Sequence, residues 1–226
     1  MTNFSKLSIV VPVGPDDQVW PQLLNELAVF GSEAEIILSA CQPRSADSDL
    51  PNNANWLCGV PGRAHQLNAG AKQATRELVW FVHADTRLSE DVVTAVGDFI
   101  AKGGQILGYF RLRFAGDGPC LTRLNAAAAN LRSRFFGLPF GDQGFIIRKT
   151  LFEQLQGFDQ AVSLGEDLDF AVRVKAAGFS LRELPAVLVT SARRYQQQGW
   201  LATTVRHICL TWQLNRQAKQ RLESVR

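Results

Sequence analysis

Leu78-Val79-Trp80-Phe81-Val82-His83-Ala84-Asp85-Thr86 is the stretch on which the reading of the chain turns. Five apolar residues in succession fit a strand covered on both faces, as parallel strands are. The run then breaks into polar residues. In open α/β sheets ligands bind beyond the carboxyl ends of the strands, so this break is the first place to look for chemistry. If strand geometry persists, His83 and Asp85 project to the same side. A carboxylate and an imidazole at the mouth of a sheet can hold a divalent cation. The carboxylate suits Mg2+ or Mn2+, and the imidazole tilts the choice towards Mn2+. Asp85 equally suits the start of a turn before Ser89.

On either side of this stretch, strand and helix patterns alternate. Leu7–Val13 (LSIVVPV) is a β-branched run closed by Gly14-Pro15, and Glu35–Ala40 reads as a second strand. Between them residues 19–30 have helical spacing, with Pro21 near the start and Gly31 at the end. Residues 42–55 are polar and loop-like, 55–59 suit a short strand, and 62–75 a helix after Pro61. Beyond the central strand, Ser89 offers an N-cap for a helix through residue 100. Strands are expected over 108–114 and 143–148. Helices are expected over 120–134, 166–177 and 200–222. The early β-α-β-α-β order argues for a doubly wound parallel sheet.

Composition bounds the class. The 226 residues are 46% apolar and 20% charged, enough for a sizeable core and too apolar for a disordered tail. No apolar run approaches the ~20 residues of a membrane span. The N-terminus lacks the pattern of a secretion signal, so a cytoplasmic location is expected. The four cysteines (Cys41, Cys58, Cys120, Cys209) show no metal-type spacing and are expected to be reduced core residues. Net charge is +3, unevenly spread: from Val187 onwards seven basic residues face one acid, Glu223, so that segment carries +6 and the rest −3. A basic end on an acidic body suggests an anionic partner, although a solvated helix face has the same composition.

Four further segments carry chemistry-bearing residues. Pro61-Gly62-Arg63 opens a helix whose free N–H groups, with the Arg63 guanidinium, suit phosphate oxygens; an ordinary helix start reads the same way. Gly141-Asp142-Gln143-Gly144 flanks two polar residues with glycines, which allows close approach of a ligand or makes a tight turn. Gly165-Glu166-Asp167-Leu168-Asp169 puts three carboxylates at a helix start. The macrodipole favours acids there, and a general base could equally be held there. Ser191-Ala192-Arg193-Arg194-Tyr195 sets two arginines beside an aromatic ring, as a diphosphate site or an exposed turn would.

In this order, 7–17 (LSIVVPVGPDD), 61–70 (PGRAHQLNAG), 78–88 (LVWFVHADTRL), 141–148 (GDQGFIIR), 165–173 (GEDLDFAVR) and 191–195 (SARRY) resemble glycosyltransferase family 2. These are inverting enzymes of the GT-A fold, and the resemblance is nearest to the short bacterial radical-SAM/selenodomain-associated branch. The resemblance implies a Rossmann-like, mostly parallel α/β sheet flanked by helices, with a C-terminal basic helix. It implies one transferase domain over 1–226: a nucleotide-binding half (1–105), an acceptor half (106–190) and a C-terminal region (191–226). It assigns Asp85, with His83, to the metal (Mn2+ or Mg2+) bridging a nucleoside-diphosphate sugar, and Asp167, beside Glu166, to catalysis as the base. Pro12, Asp16 and Arg63 fall on the nucleotide side, Arg193 and Arg194 on the diphosphate, and Asp142 and Gln143 on the acceptor or sugar side.

Where the family usually has an acid after the second strand, this chain has Ser39-Ala40-Cys41. That departure keeps a catalytically silent nucleotide-sugar or partner-binding domain open as the alternative, with a sugar-phosphate nucleotidyltransferase as a further one. No nucleic-acid partner is expected, and the acceptor is unassigned. The signature of processive synthases is absent, so transfer is expected to be non-processive. In residues 200–226, Leu201, Val205, Ile208, Leu210, Trp212 and Leu214 form no clean stripe, and packing against the domain is their expected use. A weak contact with the inner membrane face through this basic helix is the other use.

Overall fold

The computed structural model describes residues 4–15, 17–44 and 49–224, the side chains of Arg194 and Ser224 excepted. The elements run β1 (Leu7–Val13), α1 (Trp20–Leu27), β2 (Glu35–Ala40), β3 (Ala54–Cys58), α2 (Arg63–Gln73), β4 (Leu78–Phe81), β5 (Arg87–Leu88), α3 (Asp91–Lys102) and β6 (Ile106–Phe114). There follow α4 (Thr122–Phe136), a 3-10 turn at Gly141–Gln143, β7 (Phe145–Arg148), α5 (Lys149–Gln154), α6 (Glu166–Ala176), β8 (Ser180–Thr190), α7 (Arg193–Gln198) and α8 (Trp200–Ser224).

The strands form one mixed, mostly parallel sheet in the order β3-β2-β1-β4-β7-β6-β8-β5. The apolar run 78–82 is central and covered on both faces. Leu78, Trp80 and Val82 join the core under α1 and α3 together with Leu7, Ile9 and Val11. Val79 and Phe81 face the other way with Val10, Ala64, Leu67, Phe152 and Phe170. This is the period-2 alternation of a strand between two helix layers. On the second face α2 comes so close that a Cβ on Gly70 would lie 2.4 Å from Val10 Cγ1, an approach only glycine permits.

Two features aim the site. β7 is antiparallel to β4, with Phe81 opposite Phe145. The loop before β7 therefore arrives at the carboxyl edge of β4. Gln66, buried on α2, donates from Nε2 to the carbonyls of Val13 (2.6 Å) and Ser39 (2.7 Å), tying the carboxyl ends of β1 and β2 together.

Several expectations are corrected. The strand ends at Phe81, and Thr86 N donates to His83 O across a turn, so His83 and Asp85 are turn residues and not alternate strand positions. Ser89 caps nothing. Its hydroxyl donates to Val187 O (2.7 Å) and accepts from Val187 N (3.2 Å), pinning the start of α3 to β8. The cysteines are free, but Cys58, Cys120 and Cys209 are exposed and Cys41 is half-buried, so none is a core residue. β8 was not expected at all: Pro185 interrupts its pattern and sits where the β6–β8 register shifts, after Phe110 opposite Leu184.

Candidate active site

Arg63, the first residue of α2, is the hub of a charged cluster at this carboxyl edge. Its Nη2 donates to Asp167 Oδ2 at 3.1 Å and meets His83 Nε2. Its Nε lies 3.1 Å from Glu166 Oε1, close as an ion pair but unaligned as a hydrogen bond. Guanidinium has donors only, so at this contact the His83 Nε2 lone pair is the acceptor.

Glu166 and Asp167 begin α6 and are both buried, at 3% and 4% exposure. Asp167 is held by three donors. Gly141 N reaches Oδ2 at 2.6 Å, Arg63 shares that oxygen, and Leu168 N reaches Oδ1 at 2.7 Å. Gly141 stands so deep in the cluster that a Cβ there would lie 2.2 Å from Arg63 Nη2 and 2.9 Å from Asp167 Oδ2. Gly141 thus admits the protein's own charged groups, whereas Gly144 admits Leu188, Trp80 and Phe110. The third acid of the segment, Asp169, is structural: Arg173 Nε bonds its Oδ2 at 2.8 Å and Arg221 Nη2 its Oδ1 at 2.8 Å.

The electrostatics follow from burial. Desolvation pushes the Glu166 carboxyl above its usual range, the Asp167 charge adds to this, and Arg63 opposes it. Desolvation pushes Asp142 up to about 6 against the pull of Arg132, with Asp167 and Asp85 adding repulsion. Asp142 Oδ1 and Arg132 Nη2 are buried without hydrogen-bond partners. Arg132 itself stacks 4.2 Å from the centre of the Phe140 ring and donates from Nε to Leu138 O (2.9 Å).

The fold thus brings together Arg63, His83, Glu166 and Asp167, with Asp142 and Asp85 within electrostatic reach. Gln143 belongs to the framework: fully buried, it accepts from Ser133 Oγ at 2.6 Å and donates to Phe110 O at 3.0 Å, bracing the loop from beneath. Pro12 is half-buried near the end of β1, opposite Ser39. Arg193 is exposed at the start of α7, its Nε bonded to Ser191 Oγ (3.0 Å). Asp16 and the Arg194 side chain lie outside the described residues. Sequence reasoning missed Arg132 and Gln66. Gln66 lay inside the quoted 61–70 segment, whereas nothing in the composition of α4 marks Arg132.

For a metal, the donors divide. Among the described residues no group of three or more His, Cys, Asp or Glu side chains could cage an ion. Magnesium-type ions need no such cage, since one or two carboxylates and substrate phosphates suffice, and Asp85 fits that role. The Nε2 lone pair of His83 is engaged by Arg63 in this arrangement, so His83 could join Asp85 at a metal only once that guanidinium turns away.

Comparison of the whole architecture with solved structures gives the decisive likeness. Staphylococcus aureus TarS residues 1-349 in complex with UDP-GlcNAc superposes with a TM-score of 0.56 at 20% identity, over 83% of this chain and 56% of that one. The fold is GT-A. GalNAc-T7 with UDP, GalNAc and Mn2+ (TM-score 0.61, 12% identity) matches over 82% of this chain and 44% of its own. The mannosyltransferase PcManGT from Pyrobaculum calidifontis, with GDP-Man and Mn2+, gives 0.58 at 16% identity over 81% and 56%. This chain therefore spans about half the length of these GT-A proteins. No protein-family model and no curated protein sequence matches it.

Proposed function

We propose that this chain is a non-processive, inverting, metal-dependent glycosyltransferase that moves a sugar from a nucleoside-diphosphate sugar to an acceptor hydroxyl. On this reading it is a cytoplasmic family 2 enzyme of the radical-SAM/selenodomain-associated bacterial branch. One domain comprises a nucleotide-binding half (1–105), an acceptor half (106–190) and the C-terminal region. The observation that carries the reading is the Arg63–Asp167–Gly141 cluster: a buried carboxylate, oriented by three donors, at the carboxyl edge of a GT-A sheet.

Asp167 is the base. Its Oδ1 accepts one hydrogen bond, from Leu168 N, which leaves a lone pair for the acceptor hydroxyl proton. Fixing that oxygen before the acceptor arrives removes part of the entropic barrier to in-line attack. Arg63 is the donor-side cation; on binding, its guanidinium exchanges Asp167 and His83 for the diphosphate oxygens, leaving the base to its two backbone donors. Asp85 would hold the divalent cation, Mn2+ or Mg2+, whose positive charge would supply electrostatic stabilisation to the diphosphate leaving group. Pro12 and Asp16 flank the nucleoside, Arg193 and Arg194 supply charge to the diphosphate, and Asp142 faces the acceptor or sugar.

The test is a thermal-shift panel of UDP-, GDP-, CMP- and dTDP-sugars, each with and without Mn2+, since a ligand of the folded state raises the melting temperature. A metal-dependent rise with one of the nucleoside-diphosphate sugars (UDP-, GDP- or dTDP-), abolished by Asp85→Ala, is the expected result; CMP-sugars serve as the control. A flat panel would contradict it.

A further inference from the structure

Helix α8 packs on the domain with only part of its apolar set: Leu214 turns inward, whereas Leu201, Val205, Ile208 and Trp212 turn outward. Its inward face is polar or small, with Thr203, Thr211, Asn215 and Ala218 buried; only Leu214 and Leu222 add apolar bulk there. Leu201, Val205, Ile208 and Trp212, spaced four, three and four apart on one side of the helix, are all exposed, at 51% to 66%. α4 does the same: Leu124, Leu131 and Phe135 form an outward row, with Phe135 71% exposed, and Leu121 and Phe136 are exposed beside it.

The two rows lie side by side. Trp200 Nε1 donates to Asn125 Oδ1 (2.6 Å), and Asn125 Nδ2 donates to Thr204 Oγ1 (2.8 Å). At the other end the Phe136 and Trp212 rings meet at 6.1 Å. An isolated exposed leucine needs no explanation, but eight large apolar side chains on two adjoining helices, with Leu121 just before the first, do.

Charge names the occupant. Residues 119–140 and 191–222 hold nine of the 24 Lys and Arg and none of the 21 acids; the rest of the chain carries fifteen basic residues against all 21 acids. Arg123, Arg134, Arg206, Arg216 and Lys219 are exposed on these helices. A second copy would set this surface against its own like charge. An anionic bilayer complements both features at once: aromatic and aliphatic side chains enter the headgroup boundary while arginines and lysines meet lipid phosphates.

We infer that the joint face of α4 and α8 docks on an anionic phospholipid surface, with both helices lying in its plane. Among the described residues no helix is long and apolar enough to cross a membrane, so the contact is peripheral. The inference does not depend on the transfer reaction. It bears on the reaction only through α6, whose Asp169 is bonded to Arg221 of α8, so docking would set the height of the site above the surface.

The experiment is sedimentation of the full chain with phosphatidylglycerol-rich and with pure phosphatidylcholine vesicles, alongside light scattering of the free protein. Binding to the anionic vesicles is expected to be at least about tenfold the stronger and to weaken with salt. The triple variant Leu201→Ser, Ile208→Ser, Trp212→Ser is expected to lose about tenfold or more of that binding with its melting temperature kept, because these side chains are exposed. Arg216→Glu with Lys219→Glu is expected to lose the preference for anionic lipid. No binding to either vesicle would overturn the inference, as would equal binding to both. A stable dimer that the triple variant dissociates would overturn it in favour of a second copy.

Discussion

Gly141 N donates to Asp167 Oδ2 at 2.6 Å, across 26 residues of chain, and thereby joins the loop before β7 to the first turn of α6. The bond exists because β7 runs antiparallel to β4 and delivers the loop to the edge where α6 begins. Its length leaves no room for a side chain.

Gly141→Ala tests that crowding. The new Cβ would drive Arg63 Nη2 from its place and press on Asp167 Oδ2. Overpacking of this kind costs about 1–3 kcal/mol. The expected result is a modest fall in melting temperature and a larger fall in transfer rate, read by denaturation and turnover of the same samples.

Arg63→Ala leaves Glu166 and Asp167 buried without their cation. A buried acceptor left unsatisfied costs about 1–3 kcal/mol. Half-exposure of Arg63 puts its removal below the cost of breaking a fully buried pair. Donor affinity is expected to fall with stability, and Arg63→Lys to restore charge but not the simultaneous reach to both acids. Calorimetric titration of the nucleotide separates the two losses.

Asp142 gives a pH signature. Its carboxyl titrates near 6 in the folded chain against 3.8 as a free side chain. The folded state therefore binds more protons between these values, and stability falls as pH rises through the window, by about 3 kcal/mol at most, before levelling above 6. Asp142→Asn is expected to flatten this fall, being more stable than the parent at pH 7 and similar to it at pH 4. Urea unfolding at the two pH values checks the sign.

Asp169→Asn should separate stability from chemistry. The carboxylate is buried and pairs with Arg173 and Arg221. Breaking a fully buried pair costs about 3–5 kcal/mol, and the partial exposure of Arg221 and Arg173 puts this loss below that range. A lower unfolding midpoint is expected, with transfer per folded molecule little changed.

The central sheet was legible because apolar runs such as Leu7–Val13 and residues 78–82 fit one kind of environment, burial between two layers. What stayed hidden depended on relations between distant elements. The direction of β7 is not written in Phe145–Arg148, yet it places Gly141. Pro185 masked β8, since a proline argues against a strand unless a bulge lies there. In α8 the apolar residues form no clean stripe in sequence, so neither the outward row of Leu201, Val205, Ile208 and Trp212 nor the inward turn of Leu214 could be read from periodicity. The acids of 165–169 were visible as a group, whereas the division of Asp167 to the site and Asp169 to structure depends on where Arg63, Arg173 and Arg221 arrive. The turn at His83–Thr86 likewise hid that Arg63 takes the His83 lone pair.

The measurement closest to the central claim is nucleoside-diphosphate release from the donor identified by the thermal-shift panel, for the parent and for Asp167→Asn at saturating donor and Mn2+. Water serves as the smallest acceptor hydroxyl. The variant is expected to bind donor as the parent does and to lose about 100-fold or more in turnover, in line with the contribution of a positioned general base. Equal turnover in parent and variant would contradict it and remove Asp167 from the chemistry.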